Sequence, residues 1–163
     1  MSGMVPLPGL GERNAHTRRK LEEVFMSTTM QDLTIVLDDK PGTLAKAAEA
    51  IAAERINIEG GATINCGGEG IFHALFKTEQ DAGSAKRALE KAGFKVRAQE
   101  PVVVEQAQDR PGEVARIFRA VADAKVNVEF TYVATNTRVV IGTKDVQKVS
   151  EALGAPTITG ARR

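Results

Sequence analysis

Two short stretches carry the residue types from which a receptor for a small anion can be built. One is Asp39-Lys40-Pro41-Gly42-Thr43-Leu44 and the other is Asp109-Arg110-Pro111-Gly112-Glu113-Val114. In each, a glycine without a Cβ lets another molecule come close to the backbone. Pro41 and Pro111 suit the first turn of a helix, because their φ is already near the helical value and no donor is lost. An aspartate ahead of the proline can cap free backbone N–H groups. A strand-to-helix turn of this kind offers N–H groups at the positive end of a helix dipole, a setting that favours a carboxylate. A single copy would read as a plain helix-capping turn.

The motif occurs twice because the chain is an internal repeat. Asp39 maps to Asp109 at an offset of 70, and the same offset maps Ile51 to Val121, Ile56 to Val126, Asn57 to Asn127, Ile58 to Val128 and Glu59 to Glu129. Each copy runs from the motif through a helical pattern into Asn-apolar-Glu. A repeat of this kind dictates the architecture before any other feature does. It divides the 163 residues into a first module over 31–99 and a second over 100–163. Modules this small bury only about 60% of their unfolded surface, so they are expected to pack on one another or on a second chain. Residues 1–30 lie outside the repeat and read as a mobile tail or as sequence ahead of a later start at Met26 or Met30. Within them, 17–25 could form a short helix.

The composition narrows the function. The net charge of +1 gives no electrostatic reason to expect nucleic acid or membrane as partner. Cys66 is the single cysteine, so no internal disulfide can form and a reducing cytoplasm fits. No apolar run approaches the roughly 20 residues that span a bilayer.

The elements that must hold the two motifs follow from periodicity. Leu33 to Leu37 alternates as a strand. Leu44, Ala47, Ala48 and Ile51 form the apolar stripe of a helix. Residues 56–64 read as a strand with Ile56, Ile58, Ala62 and Ile64 on one face. The Gly-rich Cys66 to Gly70 connection makes a hairpin to a strand over 71–76. A helix with Ala82, Ala85, Ala88, Leu89 and Ala92 stops at Gly93, and 94–97 is a fourth strand. The second copy repeats the order: a strand at 102–104, a helix with Val114, Ile117, Phe118 and Val121, and a strand at 126–133. A turn at Asn136-Thr137, a strand at 138–141, a helix with Val146, Val149 and Leu153, and a strand at 157–159 complete it. The fold class is therefore α+β, two tandem ferredoxin-like βαββαβ modules with helices on one face of antiparallel sheets. One residue breaks the pattern. Glu105 replaces Ile35 on the phase that faces the helices, so a local register shift should turn it to the open face or a partner must meet it.

Other chemistry is not legible. His16 and His73 have no cysteine or carboxylate at ligand spacing, so no metal site is expected. His73 alternates with apolar neighbours and reads as a packed strand residue. No Ser/His/Asp pattern and no reactive-cysteine context appears, and no cofactor motif does either. Binding of single-stranded RNA is a rival, because the RNA-recognition fold shares this strand order. It needs aromatics on the central strands. Phe72 and Phe76 lie on one such strand, but the matching strand of the second copy has none.

With both motifs and the strand order in view, residues 31–160 resemble tandem ACT domains. These are small ferredoxin-like modules that bind amino acids and regulate metabolic enzymes or stand alone. Asn127-Val128-Glu129-Phe130-Thr131-Tyr132 also resembles the Asn-Ile-Glu-Tyr-x-Tyr run of free-standing tandem members. In that family the effector lies between two modules, against the loop after strand one of one module and the second strand of its neighbour. The resemblance therefore implies a site of Asp39, Gly42, Thr43 and Leu44 with Asn127, Val128, Glu129 and Phe130. Its pseudo-symmetric counterpart is Asp109, Gly112, Glu113 and Val114 with Asn57, Ile58, Glu59 and Gly60. Backbone N–H groups at Gly42, Thr43 and Leu44 would take the ligand carboxylate, and Asp39 its ammonium group.

Glu113 departs from the pattern by placing a like charge beside the second carboxylate pocket. Phe130 is expected in the core, and Tyr132 needs a partner for its hydroxyl. The implied function is a cytoplasmic, non-catalytic amino-acid sensor or regulator, a homodimer acting on a metabolic enzyme. The alternative is a ligand-free interaction module. A catalytic role of the acylphosphatase kind would need an active-site Arg and Asn that have no place here.

Overall fold

The computed structural model of the chain describes residues 28–154. The expected helix at 17–25 and strand at 157–159 lie outside the described residues. The elements are β1 (Thr28–Asp38), α1 (Thr43–Ala53), β2 (Gly60–Cys66), β3 (Glu69–Phe76), α2 (Glu79–Lys91) and β4 (Lys95–Gln106), followed by α3 (Glu113–Asp123), β5 (Phe130–Ala134), β6 (Arg138–Gly142) and α4 (Val146–Ala152). The six strands pair in one antiparallel sheet of order β2-β3-β1-β4-β6-β5. The first four strands have the ferredoxin-like order, and β4-β6-β5 repeats it. The fold class is the expected one.

The repeat is written into the backbone. Helix α1 starts after Gly42 at φ 88, ψ −10, and α3 after Gly112 at φ 88, ψ −11. Both helices are left by a residue of positive φ, Arg55 at 58 and Lys125 at 57. Two expected strands, 94–97 and 102–104, are a single strand: β4 serves as the last strand of the first module and the first of the second. The β1–β4 ladder shifts register between Thr34 and Ile35.

The sheet buries both faces. On the helix side, Leu33, Ile35, Leu37, Phe72, Ala74 and Phe76 meet Ala47, Ile51, Ala82, Ala85 and Leu89. A second helix-side core joins Val103, Val139 and Ile141 to Ile117, Val121 and Val149. On the other face the sheet curls inward, and Met30, Leu75, Val102, Val104, Val140, Tyr132 and Ala134 form a third core. The free edges of β2 and β5 approach where Gly60 meets Ala134 so closely that a Cβ on Gly60 would overlap it. Thr135 N–H donates to the Glu59 carbonyl at 3.4 Å across this seam.

Three expectations are corrected. The strand placed at 56–64 begins at Gly60, because the chain leaves α1 through Arg55 before it starts to pair. Ile56 and Ile58 therefore pack on the helix side with α1 and α2, while Ala62 lies on the inner face and Ile64 is 59% exposed. The strand placed at 126–133 is Phe130–Ala134, with Val128 under the helices and Phe130 and Tyr132 on the inner face. The third correction concerns Glu105. Its register with Val139 is regular and it is only 4% exposed, facing the helices, not the open side. Arg116 of α3 reaches it at 3.7 Å and makes that burial tolerable.

Candidate functional site

Both motif loops present an uncapped helix start. Gly42 is the N-cap of α1 and no side chain caps the helix, so the expected cap from Asp39 is not made. A left-handed φ lets the glycine carbonyl begin the helix, and Lys46 N–H donates to it at 3.0 Å. Pro41 sits in the turn ahead of the helix. Thr43 N–H donates to the Lys40 carbonyl at 3.3 Å, and its hydroxyl donates to the same oxygen at 3.0 Å. Among the described residues the N–H groups of Gly42 and Leu44 have no partner. Space above Gly42 is open, Leu44 is 43% exposed, and Asp39 accepts a hydrogen bond from Asn65 Nδ2 at 2.5 Å. The result is a small polar cradle with an apolar rim.

The second loop keeps that backbone and fills it with charge. Glu113 is buried, and its carboxylate accepts from Arg110 Nε at 3.1 Å and Nη2 at 3.0 Å, and from Arg116 Nε at 2.9 Å. Arg116 holds the Glu113 carboxyl below its usual range, with Arg110 helping. Glu105 behaves oppositely: burial pushes its carboxyl up against the pull of Arg116, and its Oε2 has no partner. Asp109 is exposed, and Val114 is 40% exposed where the first loop has Leu44.

The opposite walls are engaged within their own neighbourhoods. Asn57 Nδ2 donates to Glu59 Oε1 at 2.8 Å, and Glu59 pairs with Arg138 at 3.1 Å. These contacts, that from Asn57 first, hold the Glu59 carboxyl low. Ile58 is half-buried in the helix-side core. The Asn127 carbonyl accepts from Thr143 Oγ1 at 2.9 Å, and Glu129 pairs with Lys144 at 3.4 Å. Phe130 stacks on His73 with ring centroids 4.2 Å apart. Among the described residues, no hydrogen bond or ion pair ties 39–44 to 127–130, or 109–114 to 57–60. The loops and walls are not joined as pairs within the chain; the first wall is instead tied to the second module, where Arg138 and Thr135 hold Glu59.

Where the modules meet, a buried polar group stands that the sequence did not single out. Asp32 of β1 is fully buried and accepts from Tyr132 Oη at 2.7 Å, while His73 Nδ1 lies 2.9 Å from its other oxygen. Tyr132 thus finds the partner its hydroxyl required. Burial raises the Asp32 carboxyl above its usual range, against the hydrogen bonds from His73 and Tyr132. The Tyr132 phenol is pushed far up, first by burial and then by the Asp32 charge. Asp32 escaped notice because its alternation phase reads as a solvent face; only the inward curl of the second module covers it. Among the described residues, no three His, Cys, Asp or Glu side chains gather as metal ligands, and no helix is long and apolar enough to cross a membrane.

The fold and its paired loops define a tandem of ferredoxin-like modules, and solved structures share it. Protein BT0572 from Bacteroides thetaiotaomicron is 27% identical with TM-score 0.66, over 78% of this chain and 88% of that one. The regulatory subunit of aspartate kinase from Thermus thermophilus is 22% identical with TM-score 0.58, over 77% and 89%. That from Thermus flavus is 18% identical with TM-score 0.54, over 78% and 94%. No family model and no curated protein matches the chain. The fold is that of the tandem ACT-domain proteins.

Proposed function

We propose that this chain is a regulatory protein that binds an α-amino acid at the Asp39–Leu44 loop. The observation that carries the reading is the open, uncapped start of α1 at a left-handed Gly42, with unpartnered N–H groups at Gly42 and Leu44. That arrangement suits a carboxylate. Asp39 at the rim suits the ammonium group, and Leu44 offers apolar surface to the side chain. Asn127 to Phe130 supplies the second wall, drawn from the equivalent strand of a second copy in a homodimer. The reading involves no catalytic step. The names of the Thermus neighbours, regulatory subunits of aspartate kinase, support a role in controlling a metabolic enzyme.

A ligand-free interaction module is the second reading. It is favoured by Ile64 on β2 and Val133 on β5, each about three-fifths exposed on a free sheet edge. A thermal-shift screen against the proteinogenic amino acids separates the two. Binding to the native state at 100 times Kd stabilises by about 2.7 kcal/mol, a rise of several degrees. No shift at millimolar ligand rejects the sensor reading in favour of the interaction module.

A further inference from the structure

The joint between the modules carries more negative than positive charge. Asp32 and His73 come from the first module, Tyr132 and Phe130 from the second. Glu100 lies opposite Asp32 in the β1–β4 ladder. Glu129, just ahead of β5, and Lys144, just after β6, act on the same group, and Thr34 adds a hydroxyl to Asp32. Three carboxylates therefore face one imidazole and one lysine, and that lysine is 88% exposed. In a poorly solvated joint this imbalance is felt strongly. Since His73 Nδ1 lies against Asp32, a further proton enters at Nε2 and turns the contact into an ion pair.

We propose that this joint is a proton-tightened latch: protonation of His73 strengthens the hold of Asp32 on both modules, and loss of that proton loosens β5 from the first module's sheet. The geometry makes Asp32 a fully buried carboxylate that bonds both modules at once, with Phe130 stacked on the imidazole. Imidazole is the side chain whose charge ordinarily changes near neutral pH. Glu100 works in the same direction, its carboxyl raised chiefly by burial, while the ion pair itself needs Asp32 ionised. Groups raised in the folded state stabilise it at low pH and lose that contribution as the pH rises through their folded values. The latch needs no ligand.

Tyr132 is the one tyrosine and the chain has no tryptophan, so intrinsic fluorescence reports the latch directly. The test titrates the full chain from about pH 5.5 to about pH 9, following Tyr132 emission, the His73 imidazole resonance and the melting midpoint. The latch predicts a midpoint several degrees lower at the alkaline end, with Tyr132 emission changing along the His73 titration curve. His73→Gln should flatten both. If His73→Gln does not fold, Asp32→Asn keeps the shape and should uncouple Tyr132 emission from the His73 titration. Tyr132 emission that stays constant while His73 titrates would overturn the latch. An undiminished pH dependence in whichever variant folds would overturn it too.

Discussion

Gly42 and Gly112 hold the same left-handed conformation and start helices of the same length, yet the two loops around them are chemically unlike. Ile35, Lys40, Thr43 and Lys46 of the first module become Glu105, Arg110, Glu113 and Arg116 in the second. Four substitutions at one offset set a buried ion network beside a helix start whose glycine stays as open as Gly42. The comparison separates two properties that the motif confounds. The backbone can receive a carboxylate in both loops, but in the second a carboxylate of the chain itself already sits between two arginines. Glu113 also adds an acid to the first turn of α3, where the helix dipole welcomes it.

The largest effect expected from breaking this contrast is at Arg116. Arg116→Ala leaves Glu105 and Glu113 buried without their shared cation. Loss of a fully buried partner costs roughly 3–5 kcal/mol. With Arg116 53% exposed on its side chain, we expect about 2 kcal/mol after allowing for solvent screening. The equivalent Lys46→Ala, on an exposed helix face, should stay within about 0.5 kcal/mol. Chemical denaturation of both variants measures the difference.

Backbone equivalence gives the next test. Gly42→Ala and Gly112→Ala each force a Cβ into left-handed space at φ 88, and each should cost about 1–2 kcal/mol. Equal losses in denaturation confirm that the loops differ in side chains and not in conformation. Unequal losses would break the equivalence.

A smaller effect of opposite sign is expected at Glu105. Glu105→Ile restores the residue of the first module and removes a buried carboxylate with an unpartnered oxygen. We expect a gain of about 1 kcal/mol at neutral pH. Because burial raises the Glu105 carboxyl, its contribution to the folded state is present at low pH and lost as the pH rises through its folded value. The gain from the substitution should therefore fade as the pH falls through that folded value and be smallest below about pH 4.3. Melting midpoints of both proteins across that range check the sign.

The features read correctly from sequence are those fixed locally. The doubled Asp-x-Pro-Gly, the helices and the Gly-rich hairpin each depend on a few neighbouring residues and stand where the pattern placed them, although Leu44 and Val114, expected on the buried stripes, are exposed. Glu105 was visible as a mismatch, and its partner was in principle visible as well. Arg116 follows Glu113 by three residues and so shares its helix face. The inner face was not legible. Whether Asp32 meets solvent or Tyr132, a hundred residues away, depends on the curl of the whole sheet, and alternation on one strand carries no information about that. Small residues that permit the closure, Gly60 against Ala134 and Gly142 against the Phe130 ring, read only as turn or strand glycines until the partners are seen.

The most direct measurement is calorimetric titration of an amino acid found in the thermal-shift screen into three proteins: the native chain, Gly42→Asp and Gly112→Asp. The loops predict one ligand per chain, binding abolished by Gly42→Asp, where bulk and negative charge occupy the carboxylate position, and binding retained in Gly112→Asp. Two ligands per chain, or loss of binding in Gly112→Asp with retention in Gly42→Asp, would contradict the assignment of the open first loop as the receptor.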